Sequence, residues 1–252
     1  MNIGKNQLYE EIFLHRGHDY NMAMIQMPHV RNNEFNAIID IIKPYCQNNN
    51  NIILVDIPSG GSYLKSYLPT NINYIGLEVT QFTSMQSSQI TLWSNLPFNE
   101  NSVDIVVCMT ALHHLDEKGR LLFYGEVLRI LKPNGIFIIA DVILGSFVDK
   151  FLNIFVDKFN SMGHKGIFFN NNDIIKLQKK GFNKVNSVVK SYPWTFKTIE
   201  EMVNFVKLLF GLDLASNKDI EDNIGNYLDI KVNSTCVTFE WELMFIVANK
   251  GK

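Results

Sequence analysis

The stretch Ile52-Ile53-Leu54-Val55-Asp56-Ile57-Pro58-Ser59-Gly60-Gly61-Ser62-Tyr63 decides the fold. An apolar run that ends in an acid and a small-residue turn reads as a β-strand over 52–57, buried on both faces and followed by a tight connection. Strands of that kind belong to parallel sheets covered by helices. Tyr63-Leu64-Lys65 are predicted to open such a helix, whose N-terminus would aim backbone N–H groups and a positive dipole end at a bound ligand.

Working outward, the same texture recurs. Short apolar runs predict strands over 73–77, 103–109, 135–141 and 182–190, and the alternating run Val237-Thr238-Phe239-Glu240-Trp241-Glu242-Leu243 opens a last, antiparallel edge strand over 237–248. A helix over 119–131 ends in Lys132-Pro133-Asn134-Gly135, a basic residue followed by a breaker and turn formers. Helical spacing of Phe35, Ile38, Ile39 and Ile42 marks an N-terminal helical segment that Pro44 is expected to stop. Met202, Phe205, Val206, Leu209 and Phe210 share one helix face within 198–228. The expectation is an α/β fold: a Rossmann-like, doubly wound, mostly parallel sheet with an antiparallel edge strand and helical lid segments. As one domain it would comprise a helical cap over 1–46, a core over 51–195 and 230–250, and a helical lid over 198–228.

The chain has 252 residues, with 23 Lys+Arg against 25 Asp+Glu and a formal net charge of −2. That balance offers no basic footprint for a nucleic-acid backbone or an anionic membrane, so neither is an expected partner and a small molecule is. Cys46, Cys108 and Cys236 are too few and too scattered for a disulfide framework or a metal clip. No apolar run reaches the roughly 18 residues of a membrane span, and a cytoplasmic protein is expected. The oligomeric state is left open.

Glu78 ends the second predicted strand, about 20 residues after Asp56, at the offset where an acid accepts both ribose hydroxyls of a nucleoside. The turn between them is not G-x-G-x-x-G, which argues against a nicotinamide or flavin cofactor.

Four blocks in this order resemble the class I S-adenosylmethionine-dependent methyltransferases, and the resemblance runs from about residue 35 to 250. They are Val55-Asp56-Ile57-Pro58-Ser59-Gly60-Gly61, Gly76-Leu77-Glu78, Leu96-Pro97-Phe98 with Ser102-Val103-Asp104 and Ala111-Leu112-His113-His114-Leu115, and Arg129-Ile130-Leu131-Lys132-Pro133-Asn134-Gly135. The third block is similar to the branch that acts on small or carrier-tethered molecules. The resemblance implies S-adenosylmethionine as cofactor and no metal. It places Asp56, Pro58, Ser59, Gly60 and Gly61 against the amino-acid part of the cofactor and Glu78 with Val79 at the ribose. Trp93 and Ser94 would line the adenine, and Met109 and Thr110 would face the methyl group.

The acceptor side is read from the residues themselves. His113 and His114 follow the fourth predicted strand, and one of them is a candidate base, since imidazole titrates near neutrality. Asp141 is a second candidate base, and Tyr20, near His18 and Asp19, a candidate to orient the acceptor. His164, between Gly163 and Gly166, is expected in solvent, and Trp194, Phe196, Phe205, Phe210, Phe239 and Trp241 are expected mostly in the core, with one or two at an apolar pocket. Pro58, Ser62 and Leu92 stand where the family has glycine, glycine and an adenine-reading acid. Those departures motivate the alternative of a domain with this fold that does not methylate, acting as a cyclase or eliminase or as a partner subunit.

Overall fold

The computed structural model describes residues 9–47, 51–81 and 89–252. Two helices, α1 (Tyr9–Gln26) and α2 (Asn32–Cys46), precede β1 (Ile52–Asp56), a 3-10 turn (Tyr63–Tyr67), β2 (Ile72–Glu78) and β3 (Gln89–Ile90). Then come β4 (Val103–Met109), a second 3-10 turn (Leu112–His114), α3 (Glu117–Ile130) and β5 (Leu131–Asp141). Next, α4 (Phe147–Lys150) runs through a π-helical segment (Phe151–Val156) into α5 (Asp157–Phe159), followed by α6 (Asn171–Lys180) and β6 (Phe182–Phe196). The chain closes with α7 (Ile199–Phe210), α8 (Asn217–Leu228), β7 (Lys231–Val232) and β8 (Val237–Lys250).

The strands form one sheet in the order β3-β2-β1-β4-β5-β8-β6, with β7 paired to β8. β3, β2, β1, β4 and β5 are mutually parallel, and β8 runs antiparallel to both β5 and β6. The antiparallel pairing is thus at one end of the sheet, as expected. The edge place expected for 237–248 is corrected: within that pairing β8 takes the inner place and β6 the outer one. The reason is legible in burial: Leu243 to Ile246 are buried without interruption, whereas Val188 and Val189 of β6 stand about half exposed.

Period-2 alternation splits the core in two. Leu54, Ile105, Val107, Ile136, Ile138 and Ala140 point to the face covered by α2, α7, α8 and the π segment. Val55, Val106, Cys108, Phe137 and Ile139 point to the other face, against Phe123, Val127 and Ile130 of α3 and Leu177 of α6. On α2 the buried residues Phe35, Ile38, Ile39 and Ile42 form one stripe, and each fully buried aliphatic side chain contributes about 1.5–3 kcal/mol.

Three local expectations are corrected. α2 continues two residues past Pro44, because a proline in the last turn forfeits only one backbone bond. The helix expected to begin at Tyr63 is a single 3-10 turn, entered through Ser62 at φ 61°, so the first crossover supplies no long helix dipole. α3 starts at Glu117, where Asp116 caps it by accepting from Gly119 N–H at 2.7 Å.

Candidate active site

The carboxyl end of β1 turns through Ser59, Gly60, Gly61 and Ser62 beside the end of β2. Gly60 and Gly61 sit at φ 55° and 101°, a region that glycine enters without cost. A Cβ on Gly60 would stand 3.4 Å from the Tyr20 hydroxyl of α1, so α1 lies directly over this turn. Glu78 is 1% exposed; its Oε1 accepts from Ser59 Oγ at 2.7 Å and from Gly61 N–H at 3.4 Å. Its Oε2 is buried with no hydrogen-bond partner among the described residues. Burial raises the Glu78 carboxyl from 4.5 to about 7, against the opposing pull of Ser59 and the glycine amides. Asp56, buried and accepting from the Tyr74 hydroxyl at 2.8 Å, is likewise raised by burial to about 7.

Two cavities open at this end of the sheet. The smaller, about 40 Å³, is lined by Asp56, Pro58, Ser59, Gly60 and Met109 together with Tyr9, Phe13 and Tyr20 of α1. The larger, about 110 Å³, lies under α1, α7 and the π segment, with walls from Leu152, Val156, Trp194, Leu209, Phe210 and Trp241. Phe13, Tyr20, Arg31 and Thr110 line both. Thr110 holds φ 46°, a conformation that costs a β-branched residue of order 1–3 kcal/mol and persists where the surroundings impose it. Here Thr110 N–H donates to Ala140 O at 2.7 Å, which fixes the residue at the divide.

Three imidazoles line the larger cavity. His113 is 4% exposed; its Nδ1 is 2.7 Å from Asp141 Oδ1. Asp141 lines neither cavity, because its carboxylate is spent on that ring, on His113 N–H at 3.2 Å and on Val142 N–H at 2.7 Å. It stands behind His113, with both carboxylate oxygens engaged. Ring centroids of His113 and His114 are 4.1 Å apart, and His164 lies 5.4 Å from each. The expectation that His164 is in solvent is therefore corrected: the glycines beside it fold the loop inward onto Phe168 and His113. Burial, reinforced by the neighbouring imidazoles, lowers His114 well below the usual histidine range. Burial likewise brings His164 down to about 3.

The remaining expected residues are placed as follows. Tyr20 accepts from Arg31 at 2.6 Å in the wall shared by the cavities, while His18 on the same helix is exposed and Asp19 lines neither. Val79 is buried behind Glu78. Trp93 and Ser94 line neither cavity: the Trp93 ring packs edge-on against Tyr9 and Phe123, its N–H donates to Glu10 at 3.1 Å, and Ser94 is exposed. Part of that loop, 82–88, lies outside the described residues. Sequence reasoning missed the buried Arg31–Glu34 ion pair in the wall of the larger cavity. At the start of α2 those two read as ordinary helix-start charges, and the only available signal was the apolar stripe beside them.

Residues 55–139 match the family described as Methyltransferase domain. That match spans about a third of the chain, and over it the protein is similar to methyltransferase domains. S-adenosylmethionine is the cofactor of such domains, and the β1–β2 end has groups that fit it: Glu78 Oε2 is an unpartnered buried acceptor at the end of β2, and the backbone of Gly60 and Gly61 is bare of side chain. The domain is similar in fold to a SAM-dependent methyltransferase from Thermotoga maritima (TM-score 0.59, 17% identity, 96% of this chain and 99% of that one). It is similar also to the YcgJ protein from Bacillus subtilis (TM-score 0.55, 15% identity, 84% and 97%) and to the [4+2]-cyclase SpnF (TM-score 0.50, 16% identity, 85% and 80%). At such identities the likenesses concern the fold.

Proposed function

We propose that the protein transfers a methyl group from S-adenosylmethionine to a small, largely apolar acceptor, free or carrier-tethered, held in the cavity between α1, α7 and the π segment. The observation that carries this reading is the contiguity of the two cavities at Thr110 and Tyr20. When bound, the cofactor supplies an electrophilic methyl on a sulfonium, displaced in line by the acceptor.

The chain's own residues then have separate tasks. Glu78 accepts the ribose hydroxyls through its free oxygen, Gly60 and Gly61 admit the amino-acid part, and Met109 and Thr110 face the methyl. Trp194, Trp241 and Phe210 give the acceptor an apolar, water-excluding wall. The acceptor's proton, where it has one, leaves at one of the imidazoles His113 and His114, with Asp141 setting the His113 ring. α1 and α2, within the cap over 1–46, and the lid over 198–228 belong to one domain whose core spans 51–195 and 230–250.

The test is incubation with S-adenosylmethionine and a panel of small hydroxyl-, amine- and thiol-bearing aromatics. The expected result is a product heavier by one methyl group together with S-adenosylhomocysteine in equal amount. A second reading, a domain that binds the cofactor without methylating, is favoured by Pro58 and Ser62 in the turn and by Leu92, 64% exposed where an acid would read adenine. Conversion of an acceptor with no gain in mass would establish that reading and overturn the first.

A further inference from the structure

Three imidazoles brought together from two separate segments need a reason. His113 and His114 sit on the 3-10 turn after β4, and His164 comes from the loop after α5. One ring nitrogen of each lies within 4.8 Å of the others. A proton-accepting role accounts for one of these rings and leaves two unexplained, and clustering three such rings is unfavourable as soon as any two are charged.

The surroundings show how two of the rings are turned. His113 Nδ1 is held 2.7 Å from Asp141 Oδ1, and His164 Nδ1 is held 3.2 Å from Asn153 Oδ1. The Asn153 amide is itself oriented, donating to Asp149 and to Gly166 O while its oxygen accepts from Gly166 N–H. In each ring an oxygen acceptor takes the Nδ1 proton and leaves the Nε2 lone pair for the interior. An imidazole backed by a carboxylate or carbonyl in this way is the outer-shell arrangement of metal-binding histidines. His114 completes a set of three.

The geometry points to a divalent transition-metal site of the zinc class, ligated by His113, His114 and His164, with its remaining position open to the acceptor cavity. Three protein nitrogens plus one open position is the coordination of a catalytic zinc site, in contrast to the closed four-ligand structural kind. Tetrahedral ligands at zinc distances stand about 3.4 Å apart, so capture requires the rings to draw in by roughly 1 Å. The open position faces Thr110 and the wall of Trp194, Phe210 and Trp241, all lining the same cavity. Binding of the ion is independent of the methyl-transfer reading. Its consequence rests on that reading and replaces the imidazole base in it: the acceptor is one with an oxygen or sulfur donor that gives its proton to solvent water as it coordinates the ion, because the ligating nitrogens have no lone pair left to take it, and the resulting anion attacks the methyl.

Chelator-stripped protein is titrated with Co²⁺ and with Zn²⁺, following visible Co²⁺ absorption and heat of binding. One ion per chain and an absorption band typical of a four- or five-coordinate centre are expected. His164→Ala and His114→Ala should each weaken binding by at least tenfold, and Asn153→Ala by about 10–100-fold. S-adenosylhomocysteine affinity should be unchanged in His164→Ala, which reports an intact fold. Should that variant fail to fold, imidazole nitrogen resonances of the unmodified protein decide the matter. Zn²⁺ must shift Nε2 of His113 and His164, and shifts confined to the exposed His15, His18 and His29 overturn the site. So does Co²⁺ affinity that survives combined replacement of the three ligands. Metal binding without any methyl product leaves the site standing and sinks the methyl-transfer reading; methyl transfer indifferent to chelator, with no ion bound, does the reverse.

Discussion

The two cavities are built in opposite ways. The smaller cavity takes Asp56, Pro58, Ser59, Gly60, Met109 and Thr110 from strand ends and the turns after them, with Glu78 behind that turn, and only its roof, including Tyr9, Phe13 and Tyr20, from α1. The acceptor side collects Arg16, Tyr20, Glu34, Leu152, His164, Trp194, Phe210 and Trp241 from elements spread over most of the chain. The floor of the first is local geometry that any open parallel sheet offers at its carboxyl end. The second exists only once the helices and β6–β8 have packed, so its specificity is a property of tertiary structure.

That contrast can be broken most forcefully at Trp194. It is 1% exposed and stacked on Trp241 at 4.5 Å, so Trp194→Ala should cost about 3–5 kcal/mol in denaturant unfolding. A loss confined to acceptor turnover would mean that the acceptor wall is not part of the core. At the other cavity the stability cost should be small and the functional one large. Glu78→Ala should weaken S-adenosylhomocysteine binding by about 1–3 kcal/mol in calorimetry, and unchanged affinity would remove the ribose assignment.

The pH dependence sharpens the same point, with two opposite signs. Glu78 is raised by burial to about 7, and the ribose hydroxyls call for the ionised form. Cofactor affinity should therefore fall as pH drops below 7, by up to about tenfold per unit. In the absence of cofactor the same burial penalises the charged carboxylate. The unfolded chain then binds fewer protons than the native one between 4.5 and 7, and stability falls as pH rises through that window. Asp56 has the same sign. A cofactor affinity flat from pH 5 to 8 would contradict this.

The smallest effects are expected where the two sides meet. Thr110→Gly relieves the φ 46° strain and should raise stability by about 1 kcal/mol while lowering turnover. Thermal unfolding and initial rates check both halves of that statement. Arg16→Ala should cost about 1 kcal/mol and increase hydrogen exchange in α1, since Arg16 donates to Gly211 O at 2.5 Å and pairs with Asp213 at 3.4 Å.

How much was legible follows from the same division. Glu78 and Thr110 can be found in the sequence because each ends an apolar run whose period is a strand's. The sheet follows from those runs, and even β8's inner position was latent in the uninterrupted Leu243-Met244-Phe245-Ile246. His164 was illegible because its partners lie some fifty residues away in the chain and only the turn of the π segment into α5 brings it to them. Trp93 lines neither cavity for a simpler reason: a large ring follows burial, and here Tyr9 and Phe123 offer more of it than the rim of a cavity. Tyr63–Tyr67 carries helix-compatible residues, but Ser62 in a left-handed conformation enters it at an angle that one tight turn exhausts.

α1 has a consequence for both cavities. Its Phe13 and Tyr20 line both cavities, and it is pinned through Glu10 to Trp93, Asn21 to Tyr63 and Arg16 to Gly211. The smaller cavity, at about 40 Å³, is well below the few hundred Å³ that enclose a ligand of nucleotide size. One helix therefore borders both cavities, so a displacement of α1 would widen or narrow the two together, and its contacts with Trp93, Tyr63 and Gly211 set the cost of that movement.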